Sequence, residues 1–341
     1  MSLASTPLLH PVHHLEPLPL FDRLRMALIE DHGPGEGDVT SKALVSPEQT
    51  SHGLVLVKAD GVLCGVNLLP LIFQMAEELV STAAQDRAGE LRGAADAALA
   101  GAEGWQRVED LVAKTGHADF QVKALKKDGA RVQKGDVAAE LRGNARAMLL
   151  GERTALNLLC HLSGVATQTA RFSELCAGTR AKVVDTRKTT PLWRDLEKYA
   201  VKCGGGINHR HGLYDMVLIK DNHLALWGTR NPAEAVQTAQ ARWPKLPVMV
   251  EVTGLAALAK VCRGSAPQYI LLDNFDMEAL RRAVQWCDEF YKVRPCRPLL
   301  EASGGVNAQT VRAVAESGVD RISVGGLTHS VHALDLSLDI V

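Results

Sequence analysis

Aromatic residues are scarce in this 341-residue chain, at 4%, which leaves little material for stacking nucleobases on Phe, Tyr or Trp. An excess of one charge is missing too. With 38 Lys and Arg against 39 Asp and Glu the net charge is -1, whereas a nucleic-acid protein held by bulk electrostatics carries a basic surplus. No CxxC pair occurs among the seven cysteines, at positions 64, 160, 176, 203, 262, 287 and 296. An odd, unpatterned set suits reduced, mostly buried thiols in a cytoplasmic protein. No apolar run is long enough to cross a bilayer. Residues 1–20 lack the basic start and unbroken apolar core of a signal peptide, and their prolines mark a flexible leader. No GxGxxG follows the first buried strand, so a dinucleotide-binding sheet lacks its fingerprint. Asp128–Asp136 contains no Met-Lys-Met, and therefore reads as plain strand-turn-strand rather than a lipoyl-type carrier hairpin.

What is present is an ordinary globular composition, 46% hydrophobic and 23% charged, on a chain long enough for two domains. Residues 21–160 read as an α+β (α/β sandwich) domain. Helical spacing starts at Phe21–Glu30, and Asp38 or Thr40 is placed to cap a short turn. Leu54–Lys58 and Val62–Val66 flank Ala59-Asp60-Gly61 as a hairpin. An amphipathic helix follows over Asn67–Val80. Residues 82–118, rich in Ala, Gly and charge, read as an insertion. Strands return at Phe120–Leu125, and Ala145–Cys176 is helix-compatible, with Gly151 and Ser163-Gly164 as interruptions.

Residues 161–341 alternate regularly. Apolar strand candidates are Val183–Thr186, Met216–Lys220, Val248–Val252, Tyr269–Asp273, Leu299–Ala302 and Arg321–Val324. Helical stretches such as Pro232–Trp243, Leu255–Cys262, Met277–Tyr291 and Ala308–Ser317 lie between most of them. That rhythm predicts parallel strands with right-handed crossovers, in a closed or incomplete α/β barrel. Six strands are clear, and Cys203–His209 is a candidate for another.

The densest chemistry lies in Val183–His223, where Arg187, Lys188, Arg194, Lys198, Lys202, Arg210 and Lys220 gather in a nearly neutral chain. In a barrel, polar residues that end buried strands converge on one mouth. The early ends are cationic (Thr186-Arg187-Lys188 and Lys220), and Arg210 joins them to grip an anion such as a carboxylate. Glu251 and Asp273 end later strands and suit Mg²⁺, ribose hydroxyls or both. Ser303-Gly304-Gly305 and Val324-Gly325-Gly326 end the last two, where barrels place a phosphate. The set reads as an enzyme of acidic, phosphorylated substrates.

Asp185-Thr-Arg-Lys-Thr-Thr-Pro191, Glu197-Lys-Tyr-Ala-Val201, Gly204-Gly-Gly206, Asn208-His-Arg210, Ile219-Lys-Asp-Asn-His223, Glu251-Val252, Leu272-Asp-Asn274 and Glu301-Ala-Ser-Gly-Gly305 resemble the quinolinate phosphoribosyltransferases. The likeness runs from about Phe21 onward. It implies a type II phosphoribosyltransferase, with an N-terminal α/β sandwich and a partly open, seven-stranded α/β barrel. It also implies a homodimer with shared active sites, or a larger assembly, and transfer of phosphoribosyl from PRPP to quinolinate with loss of CO₂, assisted by Mg²⁺. Carried over by the resemblance, Arg153 enters from the neighbouring subunit. Arg187, Lys188, His209, Arg210 and Lys220 hold the pyridine dicarboxylate, with Thr186 beside them. Glu251 and Asp273 face ribose and Mg²⁺, while Ser303–Gly305 and Val324–Gly326 take the 5′-phosphate. Leu192-Trp193 departs from the family, which has glycine before Arg194. Two other enzyme readings stay open, a related transferase for another pyridine or metal-linked substrate and a Schiff-base barrel aldolase using Lys220.

Overall fold

The computed structural model describes residues 19–80, 120–228, 231–294 and 296–341. The leader expected at 1–20 lies outside them but for its last two residues, as does the insertion expected at 82–118. Helix Leu20–His32 buries Leu20, Phe21, Leu24 and Leu28 along one stripe and ends at Gly33. Asp38 then caps Val39–Leu44, its carboxylate accepting from Ser41 N.

Strands β1 (Thr50–Val57), β2 (Gly61–Val62), β3 (Gln121–Ala124), β4 (Arg131–Val132) and β5 (Val137–Asn144) build the first part. The expected β1–β2 hairpin does not form. Both edges of β1 are already occupied, one by β5 and the other by a strand from much later in the chain, so β2 turns away and pairs with β4. Between the strands, helix Leu69–Val80 buries Leu69 and Leu71–Ala76 almost without a polar face.

Helix Ala145–Leu175 runs unbroken for 31 residues and crosses the expected domain boundary at 160/161. Its glycines do not interrupt it. They let neighbours approach, since a Cβ on Gly151 would lie 2.7 Å from the Phe73 ring and one on Gly164 would lie 2.4 Å from the His332 carbonyl oxygen.

The second sheet contains β6 (Lys182–Val184), β7 (Val217–Ile219), β8 (Val248–Val252), β9 (Tyr269–Asp273), β10 (Leu299–Ser303) and β11 (Arg321–Ser323), all parallel, in the order β6-β11-β10-β9-β8-β7. Where seven strands were implied, six are present among the described residues. The remaining one is reduced to a single parallel bridge between Ile207 and Val184. It stops there because the next strand-forming donor, His209 N, gives its hydrogen bond to the Asp185 side chain at 2.8 Å instead of to a strand carbonyl. Finally β12 (Leu336–Ile340) returns to pair antiparallel with β1.

Alternation along the strands separates two interiors. Val250, Val252, Ile270, Leu272, Leu300, Ala302 and Ile322 belong to the main core beneath the helices. Met216, Met249 and Leu271, with Leu218 and Tyr269, fill the inside of the curved sheet. Side chains above that plug sit at the C-terminal strand ends, where a barrel keeps its chemistry. Among the described residues no helix is long and apolar enough to cross a membrane.

Candidate active site

A cavity of about 860 Å³ opens at those strand ends. Its cationic wall is Arg187, Lys188, Arg210 and Lys220, with Thr186 and His209 beside them. Two side chains deep under this wall hold it up. Asp185 and Lys198 are fully buried and paired at 2.5 Å. The same carboxylate accepts from His209 N at 2.8 Å and Asn208 Nδ2 at 2.6 Å, while the ammonium also donates to His209 O at 3.1 Å. Burial pushes the Asp185 carboxyl up and the Lys198 ammonium down, and the pairing opposes both. The ion pair thus locks the chain segment 207–209 against the end of β6.

Arg210 reaches Met216 O at 3.2 Å, which ties the wall to the foot of β7. Its guanidinium is held below its ordinary value by burial and then by Arg187, against the pull of Asp215. An anionic ligand would raise it again.

On the opposite side stand Asp273, Asn274, Ser303, Gly304 and Gly305. Gly304 has φ 106°, and a Cβ there would come within 2.1 Å of Asn274 Oδ1, so only glycine fits. Asn274, itself at φ 54°, donates its backbone N–H to Ser303 O at 2.9 Å and its amide to Asp273 Oδ2 at 2.8 Å. Glu251 lies near but is not part of the lining; its carboxylate is 3.1 Å from Lys220 Nζ. That contact makes Lys220 half of an ion pair, not an isolated amine in an apolar pocket, and removes the basis of the aldolase reading.

His209 is fixed by its neighbours. Arg210 N donates to Nδ1 at 2.7 Å, so the ring proton sits on Nε2, which lies 3.4 Å from Glu301 Oε1 without a hydrogen bond to it. Burial, then Arg321, Lys198 and Arg210, pull its pKa down to about 3. It is therefore a neutral hydrogen-bond donor. Glu301 is fully buried, accepts from Ser323 Oγ, and faces Arg321 Nε at 2.8 Å, off the N–H direction. Burial raises its carboxyl, with Arg321 and Ser323 opposing.

A family model described as quinolinate phosphoribosyl transferase, C-terminal domain, matches residues 165–339, and its N-terminal counterpart matches residues 79–163. The nicotinate-nucleotide pyrophosphorylase (carboxylating) of Mycobacterium leprae is 37% identical over 322 residues, covering 94% of this chain and 96% of its own. The chain belongs to the quinolinate phosphoribosyltransferase family. The probable nicotinate-nucleotide pyrophosphorylase (carboxylating) of Bacillus subtilis is 35% identical, with 90% and 89% covered. The crystal structure of NadC from Streptococcus pyogenes superposes with a TM-score of 0.75 at 31% identity, over 96% of this chain and 99% of that one.

Of the residues expected at a quinolinate phosphoribosyltransferase site, Thr186, Arg187, Lys188, His209, Arg210, Lys220, Asp273, Ser303, Gly304, Gly305, Gly325 and Gly326 line the one cavity. Val324 does not. Its side chain is 1% exposed and its N–H is spent on Val184 O at 2.9 Å, so it has nothing to offer a phosphate. Arg153 is 62% exposed on the long helix and takes no part in its own chain's cavity. Glu301, Ser323 and His329, which line the cavity, were missed. Glu301 and Ser323 lie one strand-step below or beside residues that were chosen, at positions of the same inward parity, and that signal could have found them.

Proposed function

We propose that this chain joins quinolinate to 5-phosphoribosyl-1-pyrophosphate (PRPP), releasing pyrophosphate and CO₂ and forming nicotinate mononucleotide for NAD biosynthesis. The observation that carries the reading is the presence of Arg187, Lys188, Arg210 and Lys220 in one cavity with Asp273 and Ser303–Gly305. A small diacid and a sugar phosphate can therefore meet there. Arg187, Lys188, Arg210 and Lys220 hold the two carboxylates, and neutral His209 donates from Nε2. The ring nitrogen is thereby aimed at C1 of the ribose, and positioning of this kind lowers a barrier by about 7–11 kcal/mol in favourable cases.

As the bond from C1 to pyrophosphate breaks, positive charge grows on the ribose. Asp273, with Glu251 behind it, stabilises that charge electrostatically. The backbone N–H groups of Gly304–Gly305 and Gly325–Gly326 receive the 5′-phosphate. After the new C–N bond forms, the ring nitrogen is quaternary. It stabilises the electron pair left at C2 when CO₂ departs, and water returns the proton. Pinned as a neutral donor, His209 is not the acid for that step.

Among the described residues no group of three or more His, Cys, Asp or Glu is placed to hold a metal. Mg²⁺ does not need one, because it commonly takes one or two protein carboxylates and completes its shell with phosphate oxygens and water. Asp273 and Glu251 fit that role, and the ion would offset charge on the departing pyrophosphate. In the same reading Arg153, absent from its own cavity, serves the partner subunit's site in a homodimer or an assembly of such dimers. The enzyme is cytoplasmic, in keeping with its free cysteines.

CO₂ release from carboxyl-labelled quinolinate tests the proposal. Release should require PRPP and Mg²⁺ together. Release without PRPP, or none with both present, would overturn it.

A further inference from the structure

Arg187 and Lys188 stand on residues 185–193, a loop without helix or strand of its own. Near its crest Leu192 has φ 69°, in the left-handed region that leucine avoids. Its side chain is 66% exposed, so packing does not compensate the strain. The turn closes on its own hydrogen bond, Trp193 N to Thr190 O at 3.1 Å, and its support from outside the loop comes from the first helix. Arg23, 6% exposed, donates from Nη1 to Leu192 O and forks onto Asp195, at 2.7 Å to Oδ1 and 2.6 Å to Oδ2. Its guanidinium also lies over the Trp193 ring, 5.4 Å from the centroid.

The rest of the loop is latched by the barrel itself. Glu197, fully buried and 2.8 Å from His161 Nε2, accepts from Thr190 N at 3.1 Å and Thr190 Oγ1 at 2.7 Å. Arg194 spans Thr189 Oγ1 at 3.0 Å, Arg187 O at 3.4 Å and His211 O at 3.1 Å. Thr328 Oγ1 donates to Lys188 O at 2.8 Å. Every one of these partners belongs to the barrel or to the long helix. Arg23 reaches the turn from outside both and meets it at its strained peptide.

We infer that Arg23 is a positioning residue of the diacid site: its fork onto Leu192 and Asp195 stabilises a strained turn and so fixes Arg187 and Lys188 at the cavity wall. The inference rests on the reading that these two cations hold the substrate's carboxylates. A planar guanidinium is needed, because one group must meet a carbonyl and a carboxylate at once.

The test compares Arg23→Gln, Leu192→Gly, their double variant and Lys188→Ala by steady-state kinetics in each substrate, with thermal unfolding alongside. Arg23→Gln should raise KM for quinolinate about tenfold while kcat and KM for PRPP change less than about twofold, the pattern of a lost binding geometry. Leu192→Gly alone should leave KM near the wild-type value. In the double variant glycine takes the left-handed turn without strain, and KM should return to within about threefold of wild type. If Arg23→Gln does not fold, Asp195→Asn, which turns one of the fork's two acceptor oxygens into a donor and removes its charge, must raise KM for quinolinate in the same direction with kcat unchanged. An unchanged KM in Arg23→Gln beside a raised one in Lys188→Ala would overturn the inference alone. An unchanged KM in Lys188→Ala would overturn the diacid reading and this inference with it. A defect that Leu192→Gly fails to relieve, or one seen only in unfolding temperature, would reduce Arg23 to a structural residue.

Discussion

His209 has one place for its proton, because a backbone N–H already fills Nδ1. Its pKa near 3 against an ordinary 6.5 has a thermodynamic consequence. Between those values the unfolded chain binds a proton that the folded chain refuses, so this residue's contribution to stability falls as pH drops from about 6.5 toward 3, by up to about 1.4 kcal/mol per pH unit. Urea unfolding at pH 7 and pH 5 should show a smaller loss in His209→Gln than in the wild type; parallel losses would contradict the assignment. The groups around it, Glu301, Arg321, Lys198, Arg210 and Asp215, whose negative charge opposes the others' pull on the imidazole, stay in both proteins, which isolates the ring. At this scale the sequence was readable where a polar residue ends an apolar run, as at Lys220, Asp273 and Ser303. It was not readable where a charge lies inside the fold. Nothing local announces that Lys198 will bury itself against Asp185, or Arg321 against Glu301, since each partner arrives from another element.

For whole elements, period and punctuation located the strands of the barrel to within a residue or two, and Met277–Tyr291 as a helix without error. The failures were of pairing and of glycine. A turn sequence predicts that the chain bends, not which strand waits beyond it, and β1 had already been claimed on both sides. Helix propensity marks glycine as a weak point, yet in Ala145–Leu175 it marks a contact. Gly164→Ala decides between the two effects. Propensity alone favours alanine by about 1 kcal/mol. A Cβ 2.4 Å from His332 O and 3.0 Å from Ala333 Cα meets backbone that cannot swing aside, and overpacking of that kind costs about 1–3 kcal/mol. The clash should win, giving a lower urea midpoint with an unchanged slope; a more stable variant would mean that the 331–333 segment yields.

At the level of the whole molecule, an exposed Arg153 that its own cavity does not use invites a complementation experiment. Assayed at quinolinate near the wild-type KM, Arg153→Ala and Lys188→Ala chains should each be nearly inactive. Mixed after dissociation, half the dimers become hybrids with one intact site in two, so about a quarter of wild-type activity should return. None returning would count against sites shared between subunits. The architecture also carries a mechanical meaning. Strand β12 follows the barrel in the chain but lies beside β1 in the first sheet, so the chain passes between the two layers once on the way out and again on the way home. Like a buttoned flap, the first sheet is sewn to the barrel along two seams, and force or denaturant must unpick the second seam before either layer can come away as a free-standing piece.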